Sequence, residues 1–297
     1  ENLLTSFFTA TSATCVTGLI QFDTYTHWSF FGQAVILCLI QIGGMGFMTL
    51  CISIMTITKR KIGLVSRSLM QNSISAPQIG GIVKMTKFIL LGTIVVETTG
   101  AVLLAFQFCP QYGWKQGLWF SVFHSISAFC NAGFDLMGSQ APFSSLTAEV
   151  GNWYINIIIM LLIVIGGLGF FVWHDMLTTK FRFHNMRLHT KLVLFFTVSL
   201  IFGGALLLFL CENGTASYEN LNYSERIAAS LFQSVSARTA GFNTVDLAAL
   251  TESGRFIILV LMMIGGSPGS TAGGIKTTTF AVLLLSVITT FKNRKST

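Results

Sequence analysis

The sequence predicts an all-α polytopic membrane protein whose repeated units share one orientation around a pore. Three observations carry that reading: the composition, the side on which the charges fall, and a motif written three times. Of 297 residues, 52% are hydrophobic and 10% charged, with a mean hydropathy of +0.70. A water-soluble domain carries about 25% charged residues.

Runs long enough to cross a bilayer, about 20 residues each, occur near 31–58, 88–108, 151–175, 191–211 and 254–290. Five crossings are therefore expected, the last overlong and interrupted. The net charge of +7 would suit a nucleic-acid partner, but the placement of the charges argues for a bilayer and against nucleic acid. Lys59, Arg60, Lys61, Arg67, Lys84 and Lys87 lie between the first two spans. Lys180, Arg182, Arg187 and Lys191 lie between the third and fourth, and Lys292, Arg294 and Lys295 follow the fifth. The acids gather on the opposite side, at Glu1, Asp23, Asp135, Glu149, Glu212, Glu219, Glu225, Asp246 and Glu252. The positive-inside rule makes the basic loops cytoplasmic and the acidic side external. The six cysteines form no C-x-x-C pair, and neither they nor the five histidines show metal-ligand spacing. No nucleophile and base pair or phosphate loop supports an enzyme.

Self-similarity organises the rest. FTATSATCVTGL from Phe8, FHSISAFCNAGF from Phe123 and FQSVSARTAGF from Phe232 align on Phe and Gly, and Gly18, Gly133 and Gly241 recur at intervals of 115 and 108 residues. Each is followed by a second echo, IGGMGF at 42–47, IGGLGF at 165–170 and IGGSPGS at 264–270. The unit is an outward-running helix, a descent and return from the outer side, and an inward-running helix. Two full crossings per unit keep the copies parallel, so they can surround an axis along the membrane normal, unlike inverted repeats. A first helix and a fourth copy are expected beyond this sequence.

The stretches 6–14, 117–129 and 226–237 are short for a spanning helix and suit a half-membrane helix with an extended return. Non-helical backbone at that depth is tolerated where protein buries it or water lines it. The turns read Cys-Val-Thr-Gly, Cys-Asn-Ala-Gly and Arg-Thr-Ala-Gly. Small side chains and a permissive glycine let successive carbonyls point inward, and rings of carbonyl oxygen replace the water around a cation. A repeated packing motif in an outer loop is the plain alternative.

CVTGL, SAFCNAGFDL, SARTAGFN and IGGSPGSTAGGIKTTTF together resemble the superfamily of K⁺ transporters that includes the bacterial Trk and Ktr membrane subunits and the plant high-affinity transporters, the Ktr type most of all. The resemblance implies pseudo-fourfold M1-P-M2 repeats and a K⁺ filter with Gly18, Gly133 and Gly241 as its glycines. Val16, Thr17, Asn131, Ala132, Thr239 and Ala240 would offer coordinating carbonyls, supported by Cys15, Cys130 and Arg238. A fixed cation repels K⁺, so Arg238 reads as a brace. Gly18, in place of the serine that accompanies Na⁺ preference, favours K⁺ as the transported ion. Repeat one occupies 1–58, a basic cytoplasmic loop 59–87, repeat two 88–175, a loop 176–190, repeat three 191–291 and a tail 292–297. Membership further implies a homodimer in the bacterial cell membrane and a cytoplasmic nucleotide-binding regulatory ring, with nucleotide on that partner only and Na⁺ as an activator.

In the last span, Gly265, Gly266, Ser267, Pro268, Gly269, Ser270, Thr271, Ala272, Gly273 and Gly274 cannot sustain a helix. With Lys276 they resemble an intramembrane gating loop. Close helix packing through small residues is expected instead at Gly43, Gly44, Gly46, Gly166, Gly167 and Gly169. Glu97 sits mid-span, where a charge costs on the order of 2.5 to 3.5 kcal/mol, and Arg238 and Lys276 are its candidate partners. The leading reading is a gated K⁺ pore subunit; a Na⁺- or H⁺-coupled secondary transporter is the alternative.

Overall fold

The computed structural model describes residues 3–46, 82–139 and 141–292. Among them eleven α-helices carry the fold: α1 (Leu3–Thr14), α2 (Thr24–His27), α3 (Phe30–Met45), α4 (Ile82–Tyr112), α5 (Trp114–Phe129), α6 (Trp153–Leu168), α7 (Phe170–Thr178), α8 (Leu188–Glu212), α9 (Tyr223–Ser236), α10 (Glu252–Met263) and α11 (Thr277–Phe291). Most of the basic loop expected at 59–87 lies outside the described residues; its last six positions belong to α4.

Local chemistry sets where the inward-running helices start. Ser29, Asn152 and Thr251 precede α3, α6 and α10, and their side-chain oxygens accept from the N–H groups of Gly32, Ile155 and Gly254. Each cap satisfies one of the four N–H groups a helix leaves free. The repeat is thus expressed as a cap as well as a motif. A capping box between Asn222 and Glu225 opens α9 in the same way.

The spans differ from five plain crossings. Lys84–Tyr112 in α4 and Leu188–Glu212 in α8 are long and apolar enough to cross a membrane, while α6 and α7 pass that test only together and bend by 92° between them. Helices α3 and α11 are shorter apolar helices. The expected span at 151–175 is therefore two helices, and α3 ends at Met45, the remainder of the span expected to reach 58 lying outside the described residues from 47 onward. The cause is the last glycine of each IGGxGF echo: Gly46 and Gly169 hold φ of +77° and +88°, outside any helix. Gly46 is thereby corrected from a packing glycine to a break, with nothing among the described residues within 4 Å of an added Cβ. Gly169 is both a break and closely packed, an added Cβ lying 2.6 Å from Ser267 Oγ and 2.7 Å from Pro268 O. Their neighbours also pack: a Cβ on Gly43 or Gly166 would fall on the Thr14 or Phe129 carbonyl oxygen, and one on Gly44 would lie 2.5 Å from Cys130 Sγ. The inward-running helices therefore lie directly on the ends of the descending ones.

Helices α4, α5 and α6 pack together as one unit, and α8, α9 and α10 as the next. Across units, α3 packs on α5 and α6 on α9. Both α3 and α6 lean on the following unit's descending helix, in the same sense, as parallel repeats around an axis require. Phe120, Phe123, Phe129, Phe134, Phe232 and Phe242 fill the core between units. Inside a bilayer, packing of this kind gains van der Waals contact rather than escape from water. The outward faces of α4 and α8 keep Leu91, Ile94, Phe195, Phe202 and Leu206 exposed, as lipid contact demands.

Candidate functional site

The descending helices α1, α5 and α9 have 12, 16 and 14 residues, about 18 to 24 Å at 1.5 Å per residue. A hydrocarbon core is about 30 Å thick, so none crosses it. Two of them end identically. Val16 N–H donates to Ala13 O at 3.2 Å and Thr17 N–H to Ser12 O at 3.0 Å, while Asn131 N–H donates to Ala128 O at 3.1 Å and Ala132 N–H to Ser127 O at 2.8 Å. These are Schellman closures with Val16 and Asn131 at the left-handed position, at φ of +55° and +56°. The third copy is a residue shorter and closes differently: Ala240 and Gly241 both donate to Ser236 O, at 2.9 and 3.3 Å.

The three returns meet at their glycines. A Cβ on Gly18 would lie 2.6 Å from Ala132 O, one on Gly133 2.5 Å from Ala240 O, and one on Gly241 3.4 Å from Gly133 Cα. Each of Val16-Thr17-Gly18, Asn131-Ala132-Gly133 and Thr239-Ala240-Gly241 has positive φ at its first and third residues and not at its second. Alternating handedness turns successive carbonyls toward one side of a strand. Among the described residues no hydrogen bond is donated to the carbonyls of these nine residues, although Asn131, Ala132 and Ala240 are at most 2% exposed. Buried carbonyls are nearly always paired. Here carbonyls without a protein donor among the described residues lie on three convergent loops.

The residues named as supports are placed apart. Cys15 is exposed. Cys130 is fully buried, with Sγ 3.7 Å from Gln41 Oε1 and 4.0 Å from Glu97 Oε1. Arg238 donates from one terminal nitrogen to Gly265 O at 3.1 Å. The serines before the turns were missed. Ser127 Oγ donates to Phe134 O at 2.6 Å, Ser236 Oγ donates to Phe242 O, and Ser12 Oγ meets Thr17 Oγ1 at 2.9 Å. Two of these bonds tie a descending helix to the chain beyond its glycine. The Ser-Ala pair recurring at 12–13, 127–128 and 236–237 was the available signal.

Neither expected partner of Glu97 is bonded to it. Gln41 Nε2 donates to Glu97 Oε2 at 3.0 Å, while Arg238 reaches Gly265 and Lys276 Nζ donates to Ala272 O at 2.7 Å. The ion-pair reading is corrected to a neutral amide partner contributed by the preceding unit. Glu97→Gln should therefore keep the thermal stability of the detergent-solubilised protein within about 1 kcal/mol, because no cation loses its counter-charge. A loss of about 3 kcal/mol or more would restore the ion pair.

Residues 264–276 form a non-helical insertion between α10 and α11. Gly265 N–H donates to Ile275 O at 3.0 Å, Ile275 N–H to Met263 O at 3.1 Å and Thr277 N–H to Gly266 O at 3.1 Å. The tip docks into the break between α6 and α7. Ser267 N–H donates to Gly167 O at 3.0 Å, Thr271 N–H to Gly166 O at 3.2 Å, and Phe170 N–H to Gly269 O at 2.8 Å. Ser267 Oγ also donates to Leu168 O. The last carbonyls of a helix have no partner within it; here the insertion supplies the donors. The break at Gly169 and the glycine-rich insertion are one hydrogen-bonded unit.

Known proteins share this arrangement. The chain is 40% identical over 293 residues to the potassium/sodium uptake protein NtpJ of Enterococcus hirae, an overlap of 99% of this chain and 64% of that protein. It is 43% identical over 293 residues to the Ktr system potassium uptake protein B of Bacillus subtilis, covering 98% and 64%. The chain thus spans 64% of the length of these curated relatives. The crystal structure of the potassium transporter TrkH from Vibrio parahaemolyticus superposes with a TM-score of 0.73 at 21% identity, over 98% of this chain and 56% of that one, which shows the fold. The pattern of the TrkH cation transport proteins matches residues 2–297, taking in all three converging loops and the insertion, so the chain belongs to that family of membrane transporters.

Proposed function

We propose that this chain supplies three walls of a K⁺-selective path in which Val16, Thr17 and Gly18, Asn131, Ala132 and Gly133, and Thr239, Ala240 and Gly241 present backbone carbonyls to a dehydrated cation. The free carbonyls on three loops with matching left-handed residues carry this reading. The descending helices add to it by aiming the negative ends of their dipoles at the same place. K⁺ is cargo here, and no residue does covalent chemistry. The insertion at 264–276 acts as a gate, since it is a non-helical segment hydrogen-bonded to the second unit's break.

The relatives named for potassium uptake support K⁺ as the ion. The basic loops suit a cytoplasmic face, a homodimer in the cell membrane, and a cytoplasmic partner that carries the nucleotide. Na⁺ as activator belongs to the same reading. Coupled cation uptake is the second reading, favoured by the buried Glu97 carboxylate, which has no bonded cation among the described residues.

The test is K⁺-dependent growth of a K⁺-uptake-deficient host carrying the complete protein, with and without its partner. Rescue at low K⁺ is the expected result; failure to rescue under both conditions would overturn the reading. Gly18→Ser should lower K⁺ over Na⁺ preference about tenfold, because its side chain meets Ala132 O at a φ of +73° where L residues are strained. Unchanged selectivity in flux assays would remove Gly18 from the filter.

A further inference from the structure

We infer that Asn131 and Thr271 form a latch through which ion occupancy at the second loop and the position of the insertion control each other. Asn131 Nδ2 donates to Thr271 Oγ1 at 2.9 Å, and Thr271 Oγ1 donates onward to Phe129 O at 2.9 Å. The hydroxyl therefore accepts from one group and spends its single proton on the other. Asn131 and Thr271 are 2% and 8% exposed, so water offers neither a ready replacement. Asn131 is at once the left-handed residue that closes the second descending helix and the first of three residues whose carbonyls are free. Its backbone and side chain thus face two different tasks.

The connection is specific to the second copy. The equivalent positions hold Val16 and Thr239, and the Val16 side chain has no donor. Thr239 Oγ1 has no partner among the described residues. The insertion touches the third copy through Arg238 and Gly265 instead, at its root rather than its tip. Withdrawing the tip would break both bonds of the Thr271 hydroxyl and leave Asn131 Nδ2 and Phe129 O only the longer bond between them, at 3.4 Å. Reciprocity follows from linkage: whatever steadies Asn131 steadies the insertion by the same factor.

This inference rests on the proposed path, and its test separates the two. Amide hydrogen exchange over residues 264–277 is followed in the complete protein in lipid nanodiscs, in K⁺ and in choline, for wild type, Asn131→Ala, Thr271→Val, Thr271→Ser and the double variant. Losing one buried hydrogen bond should speed exchange about fivefold. Thr271→Ser, which keeps the hydroxyl, should match wild type. The double variant should exchange no faster than Thr271→Val, and the slower exchange of the wild type in K⁺ should vanish in Asn131→Ala. Additive effects, or a K⁺ response that survives Asn131→Ala, would overturn the latch. Exchange that is indifferent to K⁺ in the wild type, with the variants still non-additive, would leave a static tie and overturn the coupling. A protein that fails to rescue growth yet shows the latch pattern would overturn the transport reading alone.

Discussion

Gly133→Ala is expected to reduce K⁺ uptake by the complete protein more than tenfold, the largest effect of any single substitution. Two costs coincide at this position. The left-handed conformation, φ +73°, costs an L residue about 1 to 2 kcal/mol. The new methyl would also lie 2.5 Å from Ala240 O and 3.1 Å from Gly241 Cα, and both are backbone atoms. Relief requires the third loop to move away from the second, which separates the carbonyls that the path depends on. Gly113→Ala is the matched control. It carries a similar φ of +80°, with nothing within 4 Å of the added Cβ, so only the conformational cost applies. Isotope uptake at fixed expression reads the difference. Equal uptake by the two variants would mean that the meeting of the loops at Gly133 has no bearing on transport.

Deleting residues 267–273 should raise K⁺ flux at least tenfold and make it insensitive to the cytoplasmic partner. The deletion removes the donors from Ser267 and Thr271 to the end of α6, and the Gly269 carbonyl that accepts from Phe170. It also removes Thr271, through which the insertion holds Phe129 O and Asn131. Release of the α6 carbonyls weakens the bend, so circular dichroism and detergent-extracted yield should accompany the flux measurement. Well-folded protein with unchanged, still regulated flux would end the gate assignment.

The sequence showed the repeat, the descending segments and the three glycines without help, because each depends on local chemistry that recurs in register. It also showed that residues 265–274 cannot be helical, since five glycines and a proline within ten residues settle that. It misread two features for one reason. Gly169 looked like its neighbours Gly166 and Gly167, yet Gly166 packs against Phe129 from within a helix, while Gly169 breaks the helix at φ +88° and packs against Ser267 and Pro268. Spacing alone does not say which glycine stays helical and which is turned.

Glu97 is the same lesson in electrostatics. A carboxylate in an apolar span needs a partner, and a search for opposite charge pointed to Arg238 and Lys276. The partner is Gln41, 56 residues away and on the preceding unit, and an amide leaves no signal in a charge count. Arg238 and Lys276 use their donors on carbonyls of the insertion.

Composition, charge placement and repetition by themselves determined the membrane setting, the parallel units and the residues at which the chain turns. They do so because lipid, loop charge and backbone sterics act on each segment separately. Only the tertiary structure decided which turns meet, that the insertion closes the end of α6, and that Asn131 reaches Thr271. Those contacts join residues about a hundred positions or more apart, and their free energy exists only once the units have packed together.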